Sequence, residues 1–287
     1  MRQLLKFILY AGIYATIVTL LNIKVFHKHF SIDTVFFSLV GVILSLFLVF
    51  RLNTAYDRWW EGRKAWGKLV NDSRSLAFSL NGLIPADDRK RRGFFVKNIT
   101  NFSQALQWHL RDDVRHDQFI YVNRAYDEEL EKAEHVPNMI ISYLFIEVEH
   151  MAEEKAITDF DKQHVKELLR GFVDVLGVCE RIHRTPIPFS HSTFIKLFII
   201  LYIFILPFGL VNVFEYLTIP AVIVMAFATL GVEIISEEIE NPFGLDANDL
   251  PTGRITNTIQ ENVYEILHVK SNFKSPPKTR KEAEVVH

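Results

Sequence analysis

The sequence predicts an all-α membrane protein: four transmembrane helices and a large cytoplasmic helical domain. Three observations carry this. The apolar residues are clumped into four charge-free runs of near-equal length. The polar stretches between and after them show helical spacing of apolar residues. Alternating β-branched runs and glycine turns, the marks of strands, are scarce.

The totals alone conceal the pattern. The chain has 287 residues, 49% hydrophobic and 23% charged, with 24 Phe, 9 Tyr and 4 Trp. Mean hydropathy is +0.13, ordinary for a greasy soluble protein or for membrane spans averaged with a polar domain. Such apolar and aromatic content excludes a disordered chain. A single cysteine, Cys179, excludes a disulfide scaffold and a cysteine-based zinc site. A net charge of −2 argues against a dedicated nucleic-acid binder.

The four runs are Phe7–Ile23, Thr34–Phe50, Leu197–Phe214 and Tyr216–Val232, of 17, 17, 18 and 17 residues. Each reaches the lower end of the ~17–25 residues that cross a bilayer as helix. Leu4, Leu5, Phe189, Ile195, Ile234 and Ile235 extend them by about a turn. The first has Arg2 and Lys6 ahead of it, as a signal peptide would. Its apolar stretch is longer than a usual signal core and no A-x-A site follows before Lys24, so a retained helix is expected. Arg51, Arg58, Arg63, Lys64, Lys68 and Arg74 follow the second run, whereas only Glu215 joins the third to the fourth. The positive-inside rule then places both termini and the polar stretch in the cytoplasm of a multi-pass protein.

The expected organisation is spans one and two within 1–50, a helical domain over 51–188 and spans three and four within 189–235. A post-membrane segment over 236–270 and a loose tail over 271–287 complete it. Inside the helical domain, Thr54–Asn81 runs to the breaker at Gly82-Leu83-Ile84-Pro85. Arg92–Leu110 and Tyr126–His135 follow, and Val136-Pro137 opens a helix to about Lys155. Thr158 caps a long helix to about His183, with Asp161 three residues on as a capping box.

Enzyme signatures are missing: the sequence has no G-x-G-x-x-G, P-loop, H-E-x-x-H or G-x-S-x-G motif. His27 and His29 are close enough to share a metal, but loop histidines usually do not. Asn71, Asn98 and Asn101 open sequons that fall on expected cytoplasmic helices, so glycosylation is not expected there.

In span two, Ser38, Gly41 and Ser45 share one face and permit close helix approach. Val42, Leu46 and Phe50, each four apart, form an apolar row. Periodicity alone suits a lipid-facing or core stripe; a hydrophobic constriction that gates by wetting is the functional alternative. Tyr56, Trp59, Trp60 and Trp66 suit an interfacial belt, and Arg58 can pair with Asp57 or Glu61. Ahead of span three, Thr185-Pro186-Ile187-Pro188-Phe189 is stiff and extended. After span four, Glu233, Glu237 and Glu240 share a helical face. Asn241-Pro242-Phe243-Gly244 breaks it, and Asp246, Asn248 and Asp249 follow in a turn. Oxygen ligands so spaced suit a hard cation such as calcium, although Asp/Asn-rich turns are commonly only turns.

Taken together, Phe50-Arg51-Leu52-Asn53-Thr54-Ala55-Tyr56-Asp57-Arg58-Trp59-Trp60, Thr185–Phe189 and Glu240–Gly244 with Asp246 and Asp249 resemble the bestrophin family, particularly its bacterial members. The resemblance runs from span one to about residue 270. It implies a pentameric ion channel, a homo-oligomer in the lipid bilayer passing permeant inorganic ions. Val42, Leu46 and Phe50 would take the neck positions and Ile187 the cytosolic aperture. Asp246 and Asp249 would fall on the family's calcium clasp. Leu245, Ala247 and Asn248 dilute its acidic run, so no cofactor is required and calcium control is not expected. The family as a whole points to chloride; a sodium-selective channel of the same architecture is the alternative, with a scaffold or secondary transporter behind it. A ring also suits the physics: four helices of ~26 Å cannot both enclose a water-filled path and cover themselves.

Overall fold

The computed structural model describes residues 2–25, 33–113, 115, 117 and 119–270. The described residues form nine α-helices and no strand. They are α1 (Arg2–Lys24), α2 (Thr34–Leu83), α3 (Arg89–His109), α4 (Arg124–Lys132), α5 (Val136–Glu153), α6 (Asp159–Arg184), α7 (Phe189–Phe214), α8 (Thr218–Glu240) and α9 (Thr252–Ile266). His27, His29 and the tail beyond residue 270 lie outside the described residues. The chain divides into two compact units, residues 1–59 with 186–241, and 60–185 with 242–287.

The first unit holds the apolar helices. Among the described residues, three stretches are long and apolar enough to cross a membrane: Leu4–Lys24, Val35–Leu83 and Phe189–Glu240. The third is two helices. It reverses through a 3-10 turn at Glu215–Leu217, where Glu215 takes φ 46, and α7 then packs on α8. The passes therefore number four. Their core is made by Ala11 and Ala15 of α1, Phe37, Leu44 and Leu48 of α2, Ile195, Ile199, Tyr202 and Leu206 of α7, and Val222 and Ala226 of α8.

Small residues set the closest approaches. A Cβ on Gly209 would stand 2.0 Å from the Phe37 ring, and one on Gly41 would stand 3.1 Å from the Tyr202 hydroxyl. Several hydroxyls in these helices bond their own backbone, the cheapest partner in a lipid solvent. Ser45, Thr229 and Ser236 each donate to the carbonyl four residues back. Tyr14 donates to the Phe204 carbonyl at 2.7 Å, joining α1 to α7.

The second unit is built as a water-soluble helical domain is. Trp66, Leu69, Leu76 and Leu80 of α2 are buried, as are Phe95, Ile99 and Phe102 of α3, Leu144 of α5, Phe172 of α6 and Ile259 and Val263 of α9. Side chains cap the starts of α3 to α6: each has a side-chain acceptor at its N-cap. Thr158 and Asp161 form the full capping box at the start of α6. Asp88, Asn123 and His135 cap α3, α4 and α5. Buried Arg92 donates to the Asn81 carbonyl in the last turn of α2, to the Ile84 and Pro85 carbonyls just after it and to the Leu267 carbonyl after α9, filling orphan acceptors of two helix ends.

Two sequence expectations are refined. Span two and the helix expected from Thr54 are one uninterrupted 50-residue helix, because no Pro or Gly breaks the chain from Phe50 to Arg58. Residues 236–270 contain α9, whose buried face mixes Thr252, Thr256 and Gln260 with Ile259 and Val263, too polar to stand out as an apolar stripe.

Candidate functional site

The site begins on α2. One face of its apolar half is sealed inside the unit: Phe37, Leu44 and Leu48 are 3%, 1% and 7% exposed. Val42, Leu46 and Phe50 lie on another face and are 69%, 54% and 56% exposed. They repeat every four residues, so they stack along ~12 Å of helix. This chain leaves them uncovered.

At residue 51 the helix changes character. Arg51 is 1% exposed, directly after the exposed ring of Phe50. Its Nη2 donates to Glu240 Oε2 at 2.7 Å, and its Nε stands 3.6 Å from Glu233 Oε2. Glu240 is the hub. Its Oε1 accepts the backbone N–H of Ile187 at 3.0 Å, and its carbonyl accepts Arg58 Nε at 3.1 Å. One carboxylate at the end of α8 thus holds both the residue after Phe50 and the Pro-Ile-Pro segment. A burial this deep for two opposed charges costs heavily unless both are paired, so the geometry is tightly set. Further along α8, Lys196 pairs with Glu237 at 2.8 Å.

Sequence reasoning missed this hub. It placed Glu233, Glu237 and Glu240 on one face and sought partners for Arg58 within its own helix. Arg58 Nε reaches the Glu240 carbonyl, and Glu61 pairs with Arg181. The only available signal was an acidic face in one segment and a buried-position arginine in another, 189 residues apart.

In the second unit, the Asn-Pro-Phe-Gly segment is anchored by Phe243, which is 1% exposed and packs where a Cβ on Gly62 would stand 3.1 Å from it. Arg111 donates to the Phe243 carbonyl at 3.1 Å and to Thr252 Oγ1 at 3.0 Å. Leu250 N–H closes the loop on the Pro242 carbonyl at 2.8 Å. Asp246 and Asp249 meet in this loop, where Asp249 Oδ2 accepts the Asp246 amide at 2.6 Å. Asp249 is buried and Asp246 exposed. Among the described residues, no third His, Cys, Asp or Glu side chain joins them.

An open cleft of about 690 Å³ lies on the polar half of α2. Arg63, Lys64, Lys68 and Arg74 line it with Asp72, Ile255 and Thr258. Lys68 is engaged by Asp72 at 2.8 Å; the cleft keeps a positive balance. Asn98 and Asn101, the two sequon residues of α3, are buried. Asn101 clamps both backbone groups of Ile120, so both are structural.

These features define a class: an integral membrane protein of four helical passes with an uncovered apolar face on its second helix. Comparison with known proteins makes it specific. Residues 1–265 match the model of the bacterial and fungal bestrophin family, and the chain belongs to that family. A voltage-dependent anion channel-forming protein of Nostoc sp. is 35% identical over 241 residues, covering 82% of this chain and 78% of the relative. One from Escherichia coli K12, bearing the same name, is 31% identical over 233 residues, covering 80% and 75%. The crystal structure of a bacterial bestrophin homologue from Klebsiella pneumoniae, solved by Zn-SAD phasing, superposes with a TM-score of 0.87 at 26% identity. The match covers 93% of this chain and 99% of that one.

Proposed function

We propose that this protein is a passive anion channel, conducting chloride through a homopentameric ring. Val42, Leu46 and Phe50 of five subunits line its neck, and Ile187 forms a second constriction. The observation that carries the reading is the uncovered apolar row of α2, three side chains four apart and each more than half exposed. Five copies of such a row facing one axis give a dry, narrow passage that ions cross when it wets. The basic cleft on the polar half of α2 favours anions over sodium, because clustered cations raise the local concentration of anions. The relatives' names point the same way.

The termini and the polar unit face the cytoplasm of a bacterial inner membrane in this reading, as the basic residues after span two favour. Conduction is downhill, with no chemical turnover. No cofactor is needed. A divalent cation at Asp246 and Asp249 is dispensable for opening, since the Asp249 carboxylate is already engaged by the Asp246 amide.

The test is single-channel recording of purified protein in planar bilayers. Leu46→Ala and Phe50→Ala are expected to raise conductance or open probability. Unchanged currents in both would sink the neck assignment.

A further inference from the structure

Outside the conduction machinery, three helices bring metal-ligating side chains to one point. His109 is the last residue of α3, His135 is the N-cap of α5, and Glu180 lies about one turn before the end of α6. His109 Nε2 and His135 Nε2 each stand 2.8 Å from the same oxygen, Glu180 Oε1. The imidazole rings are 4.5 Å apart at 41°. All three donor atoms lie within 4.8 Å of one another.

We propose that His109, His135 and Glu180 form a binding site for a first-row transition metal of the zinc type. Two imidazole nitrogens with one carboxylate oxygen suit zinc, where calcium would take oxygens alone. Ligands on a tetrahedral zinc stand about 3.3 Å apart. The pairs now at 2.8 Å reach that spacing by opening about 0.5 Å, a shift within the reach of side-chain torsions. The three side chains are 20%, 26% and 23% exposed, so an ion can enter and water can complete the coordination. The ion would tie α3, α5 and α6 together. This site is separate from the Asp246–Asp249 turn and does not depend on the conduction reading.

Proton placement makes the site distinctive. In the metal-free arrangement, Asn138 N–H donates to His135 Nδ1 at 3.2 Å. That leaves the His135 proton on Nε2, donated to Glu180. A metal on Nε2 requires the proton to move to Nδ1, which releases the Asn138 amide. Arg184 Nη2, 3.6 Å from Glu180 Oε1 on a mostly exposed side chain, gives way as the ion arrives.

The experiment uses the full-length protein, stripped with chelator and held in detergent. Zn²⁺ is titrated calorimetrically, and Co²⁺ by visible absorption. One ion per chain is expected, with micromolar or tighter affinity and the intense Co²⁺ bands of a four-coordinate site. His109→Gln and Glu180→Gln should each weaken binding by at least about tenfold. His183→Gln, whose histidine pairs with Asp112 instead, should leave binding unchanged. If a variant fails to assemble, wild-type protein still decides. Zn²⁺ should protect His109 and His135 from diethyl pyrocarbonate, read by mass spectrometry, while His183 stays reactive. No saturable binding, binding indifferent to both substitutions, or no selective protection would each overturn the site.

Discussion

The two units solve the burial of polar groups in opposite ways. In the apolar unit, charge is concentrated: Arg51, Glu233 and Glu240 are gathered at one level, and Ser45, Thr229 and Ser236 bond their own helix. In the polar unit, charge is dispersed. Helix ends carry caps, and Arg92 alone donates to four backbone carbonyls. The first arrangement puts most of its polar risk on one cluster, beside the proposed neck. The second spreads risk over many separate contacts. A single substitution should therefore cost most at the cluster and least at a cap.

Arg51→Ala is the sharpest way to break the contrast. It strands Glu233 and Glu240 without their cation, and loss of one partner of a buried pair costs about 3–5 kcal/mol. The expected result is collapse of the assembled oligomer in detergent, read by size-exclusion chromatography. Arg51→Met with Glu233→Gln and Glu240→Gln should recover much of it, since no charge is then stranded. In the polar unit, Leu144→Ala removes a fully buried side chain from α5 and should cost about 2–5 kcal/mol, read as a lower Tm with conductance retained in the surviving protein.

Thr158→Ala should cost only about 1 kcal/mol, through loss of the α6 cap. Asp161 shares that cap. Hydrogen bonds from the Thr158 side chain and amide hold its carboxyl below the ordinary aspartate range. A depressed pKa contributes stability above the unfolded value, and that contribution fades as pH falls through the folded one. Thermal melts below about pH 4 should thus narrow the gap between wild type and Thr158→Ala. The smallest effect is a null one. Burial first, then the charges of Glu180 and Glu61, push the Cys179 thiol up to about 12. Folded protein should resist alkylation at pH 8, and rapid labelling would show the α6 core to be open.

What could be read in advance divides along physical lines. α1, α7 and α8 were legible because a charge-free run of membrane length has few other uses. The α6 capping box was legible because its partners are three residues apart. The apolar row Val42, Leu46 and Phe50 was visible by period, yet its exposure, which excludes a core stripe, required the packed α7 and α8. The Arg51–Glu240–Ile187 hub was illegible, since its members come from three segments brought together only by the fold. The meeting of His109, His135 and Glu180 was hidden for the same reason, and α9 because its buried face is half polar.

The central claim is anion conduction, and reversal potential tests it most directly. Purified protein in a planar bilayer under a tenfold NaCl gradient should reverse near the chloride equilibrium potential. It should stay there when sodium is replaced by N-methyl-D-glucamine. Reversal near the sodium potential, shifting on that replacement, would contradict the account.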